Sequence, residues 1–449
     1  MPDTLPSQPA ADSRPPRTRN ATYERWRWQI FAITWLAYFG FYLTRKAFWV
    51  AKVDMGPDSL IGLSMDQMGW IEFGYGLCYA IGQFVWGMSA DLFGSRKVVL
   101  TGLFVSAIAC FSMGLATSAI VLGLLFGLQG LCQSTGWAPL AKNVSNFFSQ
   151  HERGKVMGIW CTNYAVGGLV ASIYAGYFGS LYGYQYAFIA PAITLLGVFG
   201  LFFILQRNRP EDVGLESIEQ YHGETEAVLE EGEAPEEEPE GSWVIIKEVL
   251  SNRMIMLLAL TYFFLKPTRY AIFAWGPKYL SERLGTDMLE SGVLSALFEL
   301  AGPISVFLGG LASDKIFGSR RMPVSTLSLF VLAVALFLFP FLPPTEFAMG
   351  AGFFVIGFFL YAPDSLVSGT AAIDFGTKKG ASTAAGVING CGSVGQILGL
   401  ALPAFIVAKW GWPAVFFALG GSITIACLLL APQWNTLPKT SPKDSSDEP

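Results

Sequence analysis

Long apolar segments separated by short polar ones run along most of the chain. Twelve of these segments have about 20 residues, the length that an α-helix needs to cross a hydrocarbon core of about 30 Å. They are centred near residues 38, 77, 107, 130, 166, 194, 265, 299, 330, 357, 395 and 420. A polar break after the sixth segment divides them equally. The pattern predicts an all-α integral membrane protein with twelve transmembrane helices in two six-helix halves.

Polar segments before, between and after the apolar ones predict how the chain is divided. Residues 1–24 lack the apolar run and cleavage site of a signal peptide, so we expect a tail followed by a retained first helix. The halves are expected at residues 25–206 and 244–432, with a second tail at 433–449. Residues 207–243 are rich in Glu, Pro and Gly and are expected to form a solvated acidic linker, with a partner-binding segment as the alternative.

The distribution of basic residues predicts the orientation of the chain in the membrane. Cytoplasmic loops carry an excess of Lys and Arg, and most of the 29 cations lie in the tails, the linker and every second loop. We therefore expect both termini to be cytoplasmic. The loops of the opposite side are expected to hold Lys52, Lys278, Arg283 and Lys409. The cations that fall inside apolar segments are Arg45, Lys46, Lys266 and Arg269.

The composition agrees with a membrane protein and argues against other classes. The chain is 52% hydrophobic and 14% charged, which is too apolar for a soluble protein of this length. Its six cysteines lie in apolar segments without CxxC spacing, so neither disulfides nor a metal site is expected. His151 and His222 lie in expected loops, and no nucleotide loop or nucleophile elbow is present. We expect no enzyme, no cofactor and no nucleic-acid partner, but a monomer in the lipid bilayer.

An internal repeat relates the two halves. The segment GMSADLFGSRK at residues 87–97 returns as GLASDKIFGSRR at residues 310–321. Arg45 and Arg269 are separated by almost the same number of residues as the two copies of the repeat. The intramembrane arginine of the first half therefore has a counterpart at the equivalent place in the second.

The repeated segments resemble the signature loops of the major facilitator superfamily. The resemblance implies cytoplasmic contacts that alternate during transport and involve Gly87, Asp91, Arg96, Gly310, Asp314 and Arg320. Each glycine is expected to allow close helix approach. Asp91 is expected to pair with Arg96, and Asp314 with Arg320. The alternative for each of these residues is a topology anchor or a helix-end salt bridge.

Further motifs are similar to those of the organophosphate:phosphate antiporters, which carry glycerol 3-phosphate and hexose 6-phosphates. In the first half these motifs are YxxxYxxRK from Tyr38 to Lys46, GLCQSTGWAPLAK, GIWCTNYAVGG and PEDVGL. In the second half they are TRYAIFAWGPKYL, ALFELAG, FFLYAPDSL and KKGASTAAG. The resemblance implies a transporter of the bacterial inner membrane that exchanges an organic phosphate for inorganic phosphate.

The intramembrane arginines suit a phosphate ligand. An Arg at the centre of a membrane helix costs at least ~2.5 kcal/mol, so a compensating partner is expected. Tyr38, Tyr42 and Arg45 share one helical face, and the guanidinium group offers a planar fork of donors that fits phosphate oxygens. The resemblance implies that Arg45 and Arg269 clamp the phosphoryl group between the halves, which rock around it. Snorkelling or structural pairing of Arg45 is the alternative.

Other charged residues inside apolar segments are candidates for the same site. Lys46 is predicted to be either a second ligand or the partner of an acid. Lys266 lies one turn before Arg269, beside Pro267, which is expected to kink its helix. It is predicted to be either an added site cation or part of an ion pair. The buried acids, expected to pair with site cations or to carry a proton, are Glu72, Glu299 and Asp364.

Two finer expectations concern the buried acids and the organic part of the ligand. Glu299 is expected to pair with Arg269 or Lys266, with helix packing as the alternative. Candidate residues for the organic part of the ligand are Trp137, Tyr361, Tyr164, Asn163, Gln133 and Asn389. Aromatic residues in membrane proteins also serve as packing or interfacial groups, which is the alternative for these.

The chain departs from the resembled transporters in ways that leave the organic substrate open. Gln83 stands where they commonly have Lys, Tyr164 where they have His, and Ala274 where the glycerol phosphate type has Asp. Lys266 and Asp364 are additional here. Two other functions therefore stay open: a membrane sensor of sugar phosphates, and a proton-coupled symporter of an organic anion that uses a buried acid.

Overall fold

The computed structural model describes residues 20–222, 242–318, 320–370 and 381–436, and the regular structure within these ranges is helical. The first half contains α1 (Ala21–Ala51), α2 (Met65–Phe93), α3 (Ser95–Gly114), α4 (Ala119–Gln133), α5 (Trp137–Ser145), α6 (Gln150–Trp160), α7 (Thr162–Tyr182) and α8 (Tyr186–Leu205). The short α9 (Ile218–His222) and α10 (Ser242–Ser251) follow. The second half contains α11 (Arg253–Leu284), α12 (Met288–Lys315), α13 (Arg321–Leu338), α14 (Glu346–Ser365), α15 (Ala381–Trp410) and α16 (Trp412–Leu430). The predicted all-α class is confirmed.

Nine helical segments of the described chain are long and apolar enough to cross a membrane. These are Ser95–Gly114, Ala119–Ser145, Lys155–Tyr182, Tyr186–Leu205, Met288–Lys315, Arg321–Phe341, Glu346–Gly369, Thr383–Trp410 and Trp412–Gln433. The helices α1, α2 and α11 are as long and each contains charged residues, but they are less apolar than these nine segments. With them the count would reach the predicted twelve, which stays a prediction.

The two helices that contain the intramembrane arginines have the same type of N-cap residue. The Asn20 side chain accepts hydrogen bonds from the backbone N–H groups of Thr22 and Tyr23 at the start of α1. The Asn252 side chain does the same for the first backbone N–H groups of α11. An Asn in the N-cap position satisfies donors that a helix leaves unpaired. The internal repeat of the sequence thus extends to the way its two equivalent helices start.

Two of the predicted spans are interrupted close to residues that were predicted to bind the ligand. The fourth span is interrupted between α4 and α5, so that Gln133 ends α4 and Trp137 begins α5. The fifth is interrupted at Cys161, which places Asn163 in the first turn of α7. In transporters, such breaks direct helix ends towards a ligand cavity. By contrast, α11 continues as one helix through Pro267.

The two halves pack together at the end of the molecule opposite the described chain ends. At this end α2 lies against α15, and α7 lies against the start of α12. A side chain at Gly176 would come within 2.7 Å of the Met288 carbonyl oxygen, so glycine is required for this close approach. The Leu289 backbone N–H donates to the Ser180 hydroxyl at 2.9 Å. The passage between the halves is therefore closed at this end.

Candidate functional site

Arg45 lies in the interior of the first half and is only 2% exposed. Its Nε donates to Gln133 Oε1 at 3.0 Å, and the Tyr75 hydroxyl donates to the same oxygen at 3.1 Å. The Gln133 amide nitrogen in turn donates to the Thr44 hydroxyl at 3.1 Å. These bonds fix the guanidinium group through its Nε. Among the described residues, the buried Nη2 of Arg45 has no hydrogen-bond partner.

Tyrosine rings surround the Arg45 guanidinium group. The guanidinium carbon lies 4.5 Å from the ring centroid of Tyr42 and 5.0 Å from that of Tyr79. Tyr38 packs against Tyr42 and against Trp137, with ring centroids 5.6 Å apart in both pairs. The Tyr42 hydroxyl is within electrostatic range of both Arg45 and Arg269. Tyr42 therefore contacts the Arg45 guanidinium group and lies near Arg269.

Arg269 lies in the second half with an acidic partner. Its Nη1 donates to Asp364 Oδ2 of α14 at 2.8 Å. The guanidinium carbon lies 4.9 Å from the Tyr361 ring centroid and 5.7 Å from that of Tyr164. The Tyr164 contact is made across the boundary between the halves. Within the described ranges, the buried Oδ1 of Asp364 accepts no hydrogen bond.

Lys266 lies one turn from Arg269 and is 8% exposed. Its Nζ lies 5.0 Å from the Tyr262 ring centroid. Asp364 and Arg269 are charged residues in its surroundings. Within the part of the chain that the structure describes, Lys266 forms no ion pair. We call Arg45, Gln133, Lys266, Arg269 and Asp364 the central site.

Lys46 connects the two halves beside the central site. Its Nζ lies 2.6 Å from Glu299 Oε1 of α12 and donates to the Phe273 carbonyl of α11 at 3.0 Å. Both side chains of this ion pair are almost fully buried. A buried ion pair of this kind requires close geometry to offset the desolvation of its charges. The pair therefore bridges the halves in the present conformation.

The profile of the Major Facilitator Superfamily matches residues 34–376, which include the central site and most of both halves. The chain belongs to the Major Facilitator Superfamily. Solved structures of the same fold include a bacterial homolog of the human lysosomal transporter Spinster in an inward-facing, unoccupied conformation. That structure superposes with a TM-score of 0.69 at 16% identity, covering 91% of this chain and 95% of that one. The predicted all-α major facilitator fold and a multi-pass membrane location are confirmed, whereas the cytoplasmic position of the termini stays a prediction.

Curated relatives place this superfamily member among proteins named for phosphorylated solutes. A probable hexose phosphate transport protein of Chlamydia pneumoniae is 30% identical over 93% of each chain. The glycerol-3-phosphate transporter of Bacillus subtilis is 30% identical over 93% of this chain and 94% of its own. The membrane sensor protein UhpC of Salmonella typhimurium is 29% identical over 93% of each. The resemblance to glycerol phosphate and hexose phosphate transporters is confirmed, and with it a transport family instead of an enzyme family.

The buried acids are paired differently from the prediction in this superfamily member. Glu299 pairs with Lys46, not with Arg269 or Lys266. Asp364 takes the position beside Arg269 that was expected for Glu299. Glu72 pairs at 2.6 Å with Lys52, which lies in the turn after α1 as expected but is fully buried. The partners of each pair lie at least 20 residues apart in the sequence, so their pairing depends on how the helices pack.

The signature loops also differ in part from expectation. Asp314 pairs with Arg321 at 2.5 Å, whereas Arg320 donates to Asn435 at 3.5 Å. The reason is local: α13 begins at Arg321, and its side chain points back along the end of α12. In the first half, Arg96 donates to the Phe203 carbonyl. The expected partner of Arg96, the Asp91 side chain, and the surroundings of Gly87 lie outside what the structure describes.

The predicted role of Gly310 in close helix approach is not met in this conformation. A Cβ atom added at Gly310 would have open space around it. The close approach occurs one residue earlier, where a Cβ at Gly309 would lie 2.7 Å from Ala362 Cβ. A shift of one residue turns a side chain by about 100° around a helix, so adjacent glycines face different neighbours.

The remaining predicted ligand residues differ in burial and in hydrogen bonding. Asn163 is fully buried, and neither polar atom of its amide has a hydrogen-bond partner among the residues described. Tyr361 is buried beside Arg269, whereas Trp137 is 38% exposed. Asn389 is exposed and donates to the Ala385 carbonyl of its own helix. Asn163 is the residue of this group with the greatest unmet capacity to bind a polar ligand.

Four residues near these sites were not predicted from the sequence to be there. Tyr75 and Tyr79 of α2 approach Gln133 and Arg45, and they lie on one helical face with the buried Glu72. That spacing is visible in the sequence, although it does not show which face of α2 turns towards Arg45. Lys278 is buried in α11 and donates to the Val53 carbonyl at 3.1 Å, instead of lying in a loop. Lys52 does lie in the turn after α1, as expected, but its position just after the first apolar segment gave no sign that its side chain is fully buried.

Proposed function

We propose that the protein exchanges an organic phosphate for inorganic phosphate across the membrane by alternating access. The relatives support transport of a phosphorylated solute, since two of them are named for hexose phosphate and glycerol 3-phosphate. The observation that carries the proposal is the buried guanidinium group of Arg45, with its unpartnered Nη2. A buried charged donor without a partner is costly, and an anion with several acceptor oxygens would satisfy it.

The arrangement of cations supports a phosphate clamp between the halves. Arg45 belongs to the first half, Arg269 to the second, and the Tyr42 hydroxyl is within electrostatic range of both. A phosphoryl group has three acceptor oxygens and up to two negative charges, enough to contact both guanidinium groups. Bound there, it would replace part of the contact between Arg269 and Asp364. Binding energy would thus be coupled to the relative position of the halves.

The same charges explain why exchange is proposed in preference to one-way transport. Arg45 and Lys266 have no acidic partner within the described ranges, so the empty site holds surplus positive charge. Bringing cations together in a medium of reduced dielectric constant is unfavourable. The empty carrier is therefore expected to reorient slowly, and a bound anion to speed reorientation. Inorganic phosphate and the organic phosphate would compete for one site.

The direct test is counterflow in proteoliposomes loaded with inorganic phosphate. We expect uptake of labelled glycerol 3-phosphate or glucose 6-phosphate that requires internal phosphate and stops when the vesicles contain only chloride. A protonophore is expected to leave this exchange unchanged. Uptake that follows the proton gradient and ignores internal phosphate would instead establish the proton-coupled symporter.

A sensor is the second candidate, and the match to UhpC is the observation that favours it. A sensor would bind a sugar phosphate at the same site without exchanging it. Ligand-induced thermal stabilisation in detergent, together with no counterflow of any phosphorylated solute, would identify that function. Because both candidates use the central site, binding alone does not distinguish them.

Cross-linking the closed end is expected to stop exchange. Ser180 and Leu289 lie on α7 and α12 and are joined by the 2.9 Å hydrogen bond across the two halves. Cysteines at both positions, in a background without the native cysteines, are expected to form a disulfide on oxidation. Exchange should fall at least about tenfold, because the halves can no longer separate at this end, and should return on reduction.

Each single-cysteine variant is the control for the cross-link and should keep full exchange under oxidant. Full exchange by the oxidised double variant, with the disulfide verified by its mobility on a gel, would exclude opening at this end as a step of transport.

A further inference from the structure

In the part of the chain that the structure describes, the charges of the interior region pair with one another except at two positions. Ion pairs join Lys46 to Glu299, Lys52 to Glu72, Arg269 to Asp364 and Lys278 to Glu282. Among the described residues of this interior region, Arg45 and Lys266 are left without an acidic partner. The central site, with three cations and one acid, therefore has a formal charge of plus two.

A ligand that matches this charge has two negative charges. A phosphate monoester with an uncharged organic group approaches that charge at pH 7, because its second pKa is about 6. A monoester that also carries a carboxylate, such as a phosphoglycerate, has about one more negative charge. In a buried site, an uncompensated charge is unfavourable whichever sign it has. The charge of the site therefore discriminates between these two classes of ligand.

Asp364 is the residue that sets this charge. It is 6% exposed and lies next to Arg269, with one carboxylate oxygen bonded to the guanidinium group. Its other oxygen is buried and has no partner within the described ranges. Lys266 also lies in the surroundings of Asp364. A ligand carboxylate in this region would meet the Asp364 carboxylate, and like charges at close range repel.

We propose that Asp364 makes the protein select phosphate monoesters with an uncharged organic group and reject monoesters that also carry a carboxylate. The proposal rests on the proposed function, since it concerns the same site. It assigns to Asp364 a repulsive contribution to specificity, alongside the attraction that the cations provide. The positive charge of Lys266 offsets the negative charge of Asp364, so that the formal charge of the site stays at plus two.

The test compares two ligands in wild type and in Asp364→Asn. Exchange of internal phosphate for glycerol 3-phosphate and for 3-phosphoglycerate is measured under identical conditions. Wild type is expected to prefer glycerol 3-phosphate at least about tenfold. Asp364→Asn raises the formal charge of the site to plus three, and it is expected to shift the ratio at least about tenfold towards 3-phosphoglycerate.

Two further variants separate charge from local packing. Asp364→Glu keeps the charge and is expected to keep the preference of wild type. The double variant Asp364→Asn/Lys266→Gln returns the formal charge to plus two and is expected to regain most of that preference. An unchanged ratio in Asp364→Asn, or no recovery in the double variant, would overturn the proposal.

For a variant that folds but does not exchange, a binding measurement replaces the transport assay. Thermal stabilisation of the purified protein by each ligand reports relative binding without transport. Asp364→Asn should be stabilised more by 3-phosphoglycerate, and wild type more by glycerol 3-phosphate. No stabilisation of wild type by either ligand, together with no exchange, would reject the proposed function itself. Equal response of wild type to both ligands would reject only the assignment to Asp364.

Discussion

Replacing Arg45 by Lys is expected to lower phosphate exchange by about 10- to 100-fold. The side chain is 2% exposed, and its Nε is already bonded to Gln133, which leaves the buried Nη2 for the ligand. Lysine keeps the positive charge but has no planar fork of donors. The loss of one charge-assisted hydrogen bond, about 1.5–3 kcal/mol, corresponds to a rate effect of this size. The initial rate of labelled phosphate counterflow measures it.

Arg25→Lys is the matched control for this substitution. Arg25 lies in the same helix and is exposed, so its replacement is expected to leave exchange unchanged. The two variants are compared at equal amounts of folded protein in the vesicles. Exchange at the wild-type rate in Arg45→Lys would contradict the phosphate clamp, because it would show that charge alone suffices at this position.

The second large effect is expected on stability, at the pair of Lys52 and Glu72. Both residues are fully buried, with Nζ and Oε1 2.6 Å apart. The Glu72 carboxylate also accepts from Trp49 Nε1 at 3.0 Å, and the Lys52 ammonium lies 3.5 Å from the Trp275 ring centroid in the other half. Glu72→Gln leaves an unpaired buried cation. Breaking such a pair costs about 3–5 kcal/mol, and we expect the melting temperature in detergent to fall by roughly 5 °C.

The double variant Lys52→Met/Glu72→Gln is expected to recover most of the lost stability. It removes both charges together, and glutamine keeps an acceptor for Trp49. Glu248→Gln, at an exposed position, is the control and should melt as wild type does. A Glu72→Gln variant as stable as wild type, or a double variant no more stable than the single one, would contradict the assignment of Glu72 to a structural ion pair.

The Lys52 and Lys278 pairings also help to close one end of the molecule. Lys52 extends from α1 to an indole of α11, and Lys278 extends from α11 to the Val53 carbonyl just after α1. Each half thus contributes a lysine that contacts the other. Both contacts must separate when this end opens, so they belong to the energetic difference between the two transport conformations.

Some residues of the candidate site could be predicted from the sequence, and others could not. Arg45 and Arg269 stand out because charge is rare in apolar segments, and the internal repeat relates one to the other. The partners of Lys46 and Glu299 were not predictable, because these residues lie in different halves and meet only after the halves pack. For Tyr75 and Tyr79 the helical spacing was present in the sequence, but it did not indicate which face of α2 turns towards Arg45.

The sequence by itself determined the all-α membrane class, the superfamily and the identity of the unusual intramembrane charges. It could do so because a bilayer imposes a length and an apolar composition on every helix that crosses it. The tertiary structure alone decided how those charges pair. Glu299 binds Lys46, Asp364 binds Arg269, and Lys266 is left without an acid in the described chain. Ion pairs form over a few ångströms between distant residues, and only the packing of the helices sets those distances.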